Sequence, residues 1–272
     1  MLQMVITDLD GTLADPDQKI SAADLNTLKR LGENNIIRVI ATGRSLYSVN
    51  NVLDKKLPID YLLFSSGAGI LNWKTKKIIK KNSLTVKNIQ TINTYLKDIQ
   101  ADFMLHFPIP EDHKFLYYES GKDNPDFKRR IEIYKSFSDC MHSAAITPQS
   151  ACHYIIITSN NHITYKPIAN ELKAFSVIRT TSPLDKKTLW IEIFPAHVSK
   201  GQSAAWLCDQ LGVDQKNVLS IGNDYNDLDL LEWSGYSFVV HNAQQLLKKK
   251  FNHTKSNHES AFTHAVHQVI YS

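Results

Sequence analysis

A chain of 272 residues holds one large core or two modest ones, and 43% hydrophobic with 21% charged residues excludes a disordered or fibrous protein. The net charge of +4 favours anionic ligands but falls short of a nucleic-acid footprint, and no apolar run approaches the length of a transmembrane helix. Cys140, Cys152 and Cys208 are odd in number and widely spaced, which excludes a disulfide framework or a cysteine metal site and points to reduced thiols in the cytoplasm.

Residues 4–13, Met-Val-Ile-Thr-Asp-Leu-Asp-Gly-Thr-Leu, run from an apolar, β-branched stretch straight into Asp8 and Asp10. The stretch predicts a buried strand, and Asp10-Gly11 the turn that ends it. Two carboxylates there lie where open parallel sheets place their ligand crevices. Neighbouring anions repel unless one takes a proton or a cation separates them, and hard oxygen ligands select magnesium over zinc. Ser21 with Asp24 three residues on predicts a helix cap. Leu25, Leu28 and Leu31 then keep helical spacing up to Gly32, expected to close the helix. Residues 36–41 predict a second strand, ending in Thr42-Gly43-Arg44-Ser45. Strand, helix and strand with a short return make parallel neighbours, so Thr42 is expected beside Asp8. Its hydroxyl and the turn amides suit a phosphoryl oxygen, or equally the cap of a helix. Arg44 is expected to pair with a surface acid rather than steady a phosphate. Tyr61 to Phe64 predicts a third strand, running into Ser65-Ser66-Gly67-Ala68-Gly69.

From about Lys80 to Lys187 the pattern changes. A helix through Val86, Ile89, Ile92, Leu96 and Ile99 is followed by short strands at Phe103–His106, Phe115–Tyr118, Ile155–Ile157 and Ser176–Ile178. Between them lie an exposed Lys/Arg-rich helix near Phe127–Tyr134 and another at Ile168–Leu172. This mixture predicts an α+β insert at 81–187, placed as a lid on a core made of 1–80 and 188–272. The core is expected to resume at Ile191-Glu192-Ile193. Ser199 then caps a helix carrying Ala204, Ala205, Leu207 and Leu211, closed by Gly212. Lys200 falls at that helix's N-terminus, where a cation is disfavoured, so an anion is needed to explain it. Val218 to Ile221 predicts a further core strand leading into Gly222-Asn223-Asp224-Tyr225-Asn226-Asp227. Its acid and amide oxygens, at the sheet edge of Asp8 and Asp10, make either half of a metal site or a polar cap on the helix Leu228–Trp233. His253, His258, His264 and His267 lack acidic or cysteine partners at ligand spacing and read as surface residues.

The wording Asp8-Leu9-Asp10-Gly11-Thr12-Leu13, then Thr42, Lys200 and the 222–227 loop, resembles the four ordered motifs of the haloacid dehalogenase superfamily. The large insert between the second and third resembles its type IIB, Cof-like branch. The resemblance implies an α/β fold: a doubly wound parallel-sheet, Rossmann-like core with an inserted α+β cap of the C2B type. It also implies a magnesium-dependent phosphatase acting on monoesters of small metabolites, commonly sugar phosphates. On that pattern Asp8 is the nucleophile that becomes an aspartyl-phosphate, and Asp10 is the general acid and base. Thr42, Gly43, Lys200 and Asn226 hold the phosphate. Asp8, Asp10, Asn223 and Asp227 hold Mg2+, with Asp224 an alternative to Asn223, because the branch usually has Asp where Asn223 stands. Two other readings stay open: a phosphosugar mutase of related fold, and a phosphometabolite-binding protein without turnover.

Overall fold

The first strand, β1 (Met4–Thr7), is buried along its whole length, as its unbroken apolar run requires of a strand covered on both faces. In the computed structural model, which describes residues 1–141, 148–158, 164–185 and 187–271, it is central to an eight-stranded sheet. α1 (Ala22–Glu33) follows, with Ser21 accepting from the Asp24 amide at 3.0 Å as expected of the cap. Gly32 does not end this helix. It lies inside the last turn, where a Cβ would meet the Arg38 guanidinium, and Asn34 is the cap. β2 (Ile37–Ala41), α2 (Leu46–Val52) and β3 (Tyr61–Phe64) come next, then two antiparallel strands, β4 (Gly69–Asn72) and β5 (Lys77–Lys81). β5 is a sheet edge whose three lysines, Lys77, Lys80 and Lys81, discourage pairing with another chain.

Residues Asn82–Val198, with Ser45–Tyr47, form one compact unit, and the remaining residues form another. The inserted unit begins with β6 (Leu84–Thr85) and α3 (Val86–Asp98), capped reciprocally by Thr85 and Asn88. β7 (Phe103–His106), β8 (Phe115–Tyr118), α4 (Pro125–Ile133), β9 (Ser138–Cys140), β10 (Ser150–Ala151), β11 (Tyr154–Ile157), α5 (Tyr165–Glu171), β12 (Ser176–Thr181) and β13 (Leu189–Phe194) complete it. Its main sheet has the order β12-β13-β11-β7-β8-β9. The strand at Ile191–Ile193, expected to reopen the core, therefore belongs to the insert, paired between β12 and β11, and the unit runs on to Val198. α4, expected to be exposed, has one buried face. Phe127 enters the apolar cluster with Met104, Ile155 and Trp190, and the Arg130 guanidinium lies 4.6 Å from the Trp190 ring centroid. Lysine and arginine stems cover apolar surface in this way without appearing apolar in sequence.

At one end of that sheet four rings form a cross-strand row: Phe115, His106, His153 and Phe194, with successive centroids 5.0, 4.4 and 4.7 Å apart. Burial, with the Arg130 charge, pushes the His153 imidazole down to about 3; burial and the neighbouring His153 hold His106 well below the ordinary histidine range. An unfolded histidine takes its proton near pH 6.5, whereas these folded ones refuse it. Stability is therefore complete above that pH and is lost as pH falls from it, by about 1.4 kcal/mol per pH unit for each ring. Urea midpoints compared at about pH 7.5 and pH 5 should show the loss, and His153→Phe should make it shallower.

The chain then returns through α6 (Lys200–Leu211), β14 (Val218–Gly222), α7 (Leu228–Trp233), β15 (Tyr236–Val239), α8 (Gln245–Lys248), β16 (Asn252–His253) and α9 (Ala261–Ile270). The large sheet reads β16-β15-β14-β1-β2-β3-β4-β5, parallel from β16 to β3. This is the expected doubly wound core with an antiparallel extension. Asp24 reaches from α1 to accept from both the amide and hydroxyl of Thr263, so it serves the first turn of α9 as well as its own. No helix among the described residues is long and apolar enough to cross a membrane.

Candidate active site

Register sets the site. Thr7 pairs with Ile221 on one side and Ile40 on the other, so Asp8, Thr42 and the loop after Gly222 all follow the same row of strand ends. Asp8 is the first residue past β1, held by its amide to the Ile221 carbonyl at 2.9 Å. Gly11 turns the chain at φ +74°, and a Cβ there would lie 2.5 Å from the Asn223 amide nitrogen, so both conformation and space require glycine.

Lys200 is the first residue of α6 and wholly buried. Its ammonium donates to Asp8 Oδ1 at 2.7 Å and to Asp227 Oδ1 at 2.6 Å. Those carboxylates offset both the burial and the unfavourable helix end. Burial works against the charge, yet Asp227 and Asp8 together hold the Lys200 pKa above the ordinary lysine range. Burial, helped by the Asp227 and Asp10 charges, raises Asp8 to about 7 against the pull of Lys200. Asp229, in the first turn of α7, accepts from the Gly201 amide at 2.9 Å and so fixes the start of α6. Its pKa is raised by burial, with Ser199 and the Gly201 and Leu230 amides opposing. Nothing in the motif spelling distinguishes Asp229 from an ordinary helix-start acid.

Asp10 is held at two points. Arg44 Nε and Nη2 grip its carboxylate at 2.7 and 2.6 Å, and Asn223 Nδ2 donates to its main-chain carbonyl at 3.0 Å. Arg44 thus pairs with an acid as expected, but the acid is the one assigned to catalysis. Asn242 donates to the Gly11 carbonyl at 2.8 Å and steadies the same turn. Thr42 is buried and caps no helix; its hydroxyl accepts from the Arg44 amide at 3.1 Å, which leaves its own proton to donate. A Cβ at Gly43 would lie in van der Waals contact, at 3.6 Å, with the Asn226 amide nitrogen and the Ser66 hydroxyl.

The expected metal ligands separate into two groups. Asp227 is fully buried, with Oδ1 on Lys200 and Oδ2 accepting from the Asn223 and Asp224 amides at 2.8 and 3.1 Å. Asp227 thus ties its own loop to Lys200. Asp224 caps the short turn that follows it. The Asp10 carboxylate is engaged by Arg44. Among the described residues no group of three or more His, Cys, Asp or Glu is arranged to hold a metal. The remaining lone pairs are those of the Asp8 oxygen that Lys200 contacts, of the Asp10 carbonyl and, once its amide turns and gives up its bond to that carbonyl, of Asn223. These are hard donors, and three carboxylates face only two cations, Lys200 and Arg44. Such a set fits one small divalent cation that keeps several waters.

The chain matches the model of the haloacid dehalogenase-like hydrolases over residues 5–266. It is 23% identical to the putative phosphatase YxeH of Bacillus subtilis, with 99% of each chain covered. It is 24% identical to the 5-amino-6-(5-phospho-D-ribitylamino)uracil phosphatase YwtE of the same organism, over 99% of this chain and 98% of that one. The solved sugar phosphatase BT4131 of subclass IIB shares the fold at a TM-score of 0.75, with 14% identity and 99% and 100% of the two chains covered. By sequence, fold and the ordering of its strand-end residues, this chain belongs to the haloacid dehalogenase-like hydrolases.

Proposed function

We propose that this protein is a magnesium-dependent phosphatase that hydrolyses phosphate monoesters of small metabolites, sugar phosphates foremost, through an aspartyl-phosphate on Asp8. The observation that carries the reading is the buried Lys200 ammonium bridging Asp8 and Asp227 at a parallel-sheet edge. The relatives' names, a ribitylamino-uracil phosphatase and a sugar phosphatase among them, support small phosphorylated substrates. Three free cysteines support a reducing, cytoplasmic setting.

Phosphoryl transfer passes through a loose transition state with charge spread over the equatorial oxygens, so catalysis is mostly positioning and charge stabilisation. Lys200 holds Asp8 by one oxygen and leaves the other for attack on phosphorus. The phosphoryl oxygens are met by the Thr42 hydroxyl, the Gly43 turn and the Asn226 amide. Asp10 donates a proton to the departing alcohol and then takes one from the water that releases phosphate. Magnesium, held by Asp8, the Asp10 carbonyl and Asn223, would supply the positive charge that Lys200 and Arg44 leave lacking. The inserted unit is assigned the choice of leaving group. A panel of metabolite esters assayed for inorganic phosphate, with magnesium and with chelator, tests the reading. Release dependent on magnesium is expected, and tight binding with no turnover of any ester would overturn it.

Asn223 supplies a neutral donor, which weakens cation binding. Asn223→Asp is expected to tighten magnesium about tenfold, since one added charge nearby is worth roughly 1.4 kcal/mol or more in such a site. Calorimetric titration checks it; an unchanged isotherm would transfer the ligand role to Asp224.

A further inference from the structure

Arg44 is the side chain with the closest hold on Asp10, and the hold is a fork. Two guanidinium nitrogens meet the two carboxylate oxygens at 2.7 and 2.6 Å, while Arg44 Nη1 donates to Ser48 at 3.1 Å in the first turn of α2. The Arg44 amide, at the same residue, is the donor that fixes the Thr42 hydroxyl. The Asp10 side chain is half exposed, and without this grip only its main chain, tied to Asn223, would be positioned. An isolated exposed ion pair contributes little to stability, so a fork of this geometry has to be explained by what it orients.

We infer that Arg44 is a positioning residue for Asp10: it sets the carboxyl in the one orientation from which it reaches the leaving oxygen, and so governs proton delivery rather than phosphate binding. The inference rests on the phosphatase reading above and goes beyond it in naming the residue that makes Asp10 effective. The step it serves is balanced within the reaction. Asp10 rests as the carboxylate that Arg44 forks; it takes a proton from solvent on one oxygen, which frees that arm of the fork, and the proton passes to the alcohol oxygen as the P–O bond to the alcohol breaks and the Asp8 oxygen bonds phosphorus.

Two esters separate the possibilities, because an alkyl alcohol needs the proton as it leaves and a nitrophenol does not. Arg44→Gln is expected to lower kcat/KM, which reports the step up to loss of the alcohol and not the later hydrolysis common to both esters, about 100-fold on a hexose 6-phosphate and less than about fivefold on 4-nitrophenyl phosphate. Arg44→Lys, which keeps the charge but loses the fork, is expected to recover only part of the loss on the alkyl ester. Thermal unfolding of both variants near the wild-type temperature excludes a damaged fold. Equal losses of kcat/KM on the two esters would overturn the inference and make Arg44 a phosphate ligand or a structural residue. Wild-type protein that hydrolyses neither these esters nor any of the metabolite panel would overturn the phosphatase reading and the Arg44 inference together; wild-type turnover with equal losses removes Arg44 alone.

Discussion

Asp8→Asn is expected to abolish phosphate release, to less than about a ten-thousandth of the wild-type rate, while leaving the protein folded. The amide has nearly the shape of the carboxylate and can still accept from Lys200 where Asp8 does, at the start of the site. What it loses is the nucleophilic oxygen and the charge. The same substitution removes an anion that burial, Asp227 and Asp10 all disfavour, so its unfolding midpoint should equal or exceed the wild type in metal-free buffer. Loss of activity combined with undiminished stability separates a catalytic group from a structural one. Full activity in the variant would remove Asp8 from the nucleophile's position, and a large fall in stability would make it a structural acid.

The strands that build this site were legible because their signals are local. A β-branched run that stops at Asp or Thr next to glycine predicts both the strand and the end that matters, as at Met4–Asp8 and Ile37–Thr42. The strand at Leu189–Phe194 was placed in the wrong sheet for the opposite reason. Its mostly apolar run suits either sheet, and only its pairing with the strands of Val177 and Ile155 decides. β4 and β5 carry little local signal: β4 is four residues opening on a glycine, and β5 is mostly lysine. At the site, the motif gave the oxygens but not which of them are already engaged. The motif does not show that both Asp227 oxygens accept, from Lys200 and from two amides. Arg44 looked like a surface cation until its partner proved to be Asp10. Side-chain partnership across 34 residues leaves no periodic trace for a sequence reading to find.

Lys200→Met tests the electrostatic centre directly. Methionine fills nearly the same volume, so packing is conserved and the change is one of charge. It leaves Asp8 and Asp227, both buried, without the ammonium that each of them contacts. Breaking a buried pair in this way costs about 3–5 kcal/mol, because the uncompensated anion stays inside. Asp8 softens the loss by taking a proton. Its folded pKa already lies above the unfolded value of 3.8, and a group raised in this way contributes stability at low pH that is lost as pH rises through the folded value. The deficit of Lys200→Met should therefore be larger at about pH 8 than at about pH 6 in urea denaturation. Adding Asp8→Asn to it should restore part of the stability, since the double variant retains only one buried carboxylate of the pair. Activity should fall by about 10³-fold or more in the single variant, as one charge aimed at the phosphoryl group is lost. A single variant as stable as the wild type at both pH values would mean that water, not Lys200, neutralises Asp8 and Asp227, and the electrostatic account of the site would fail with it.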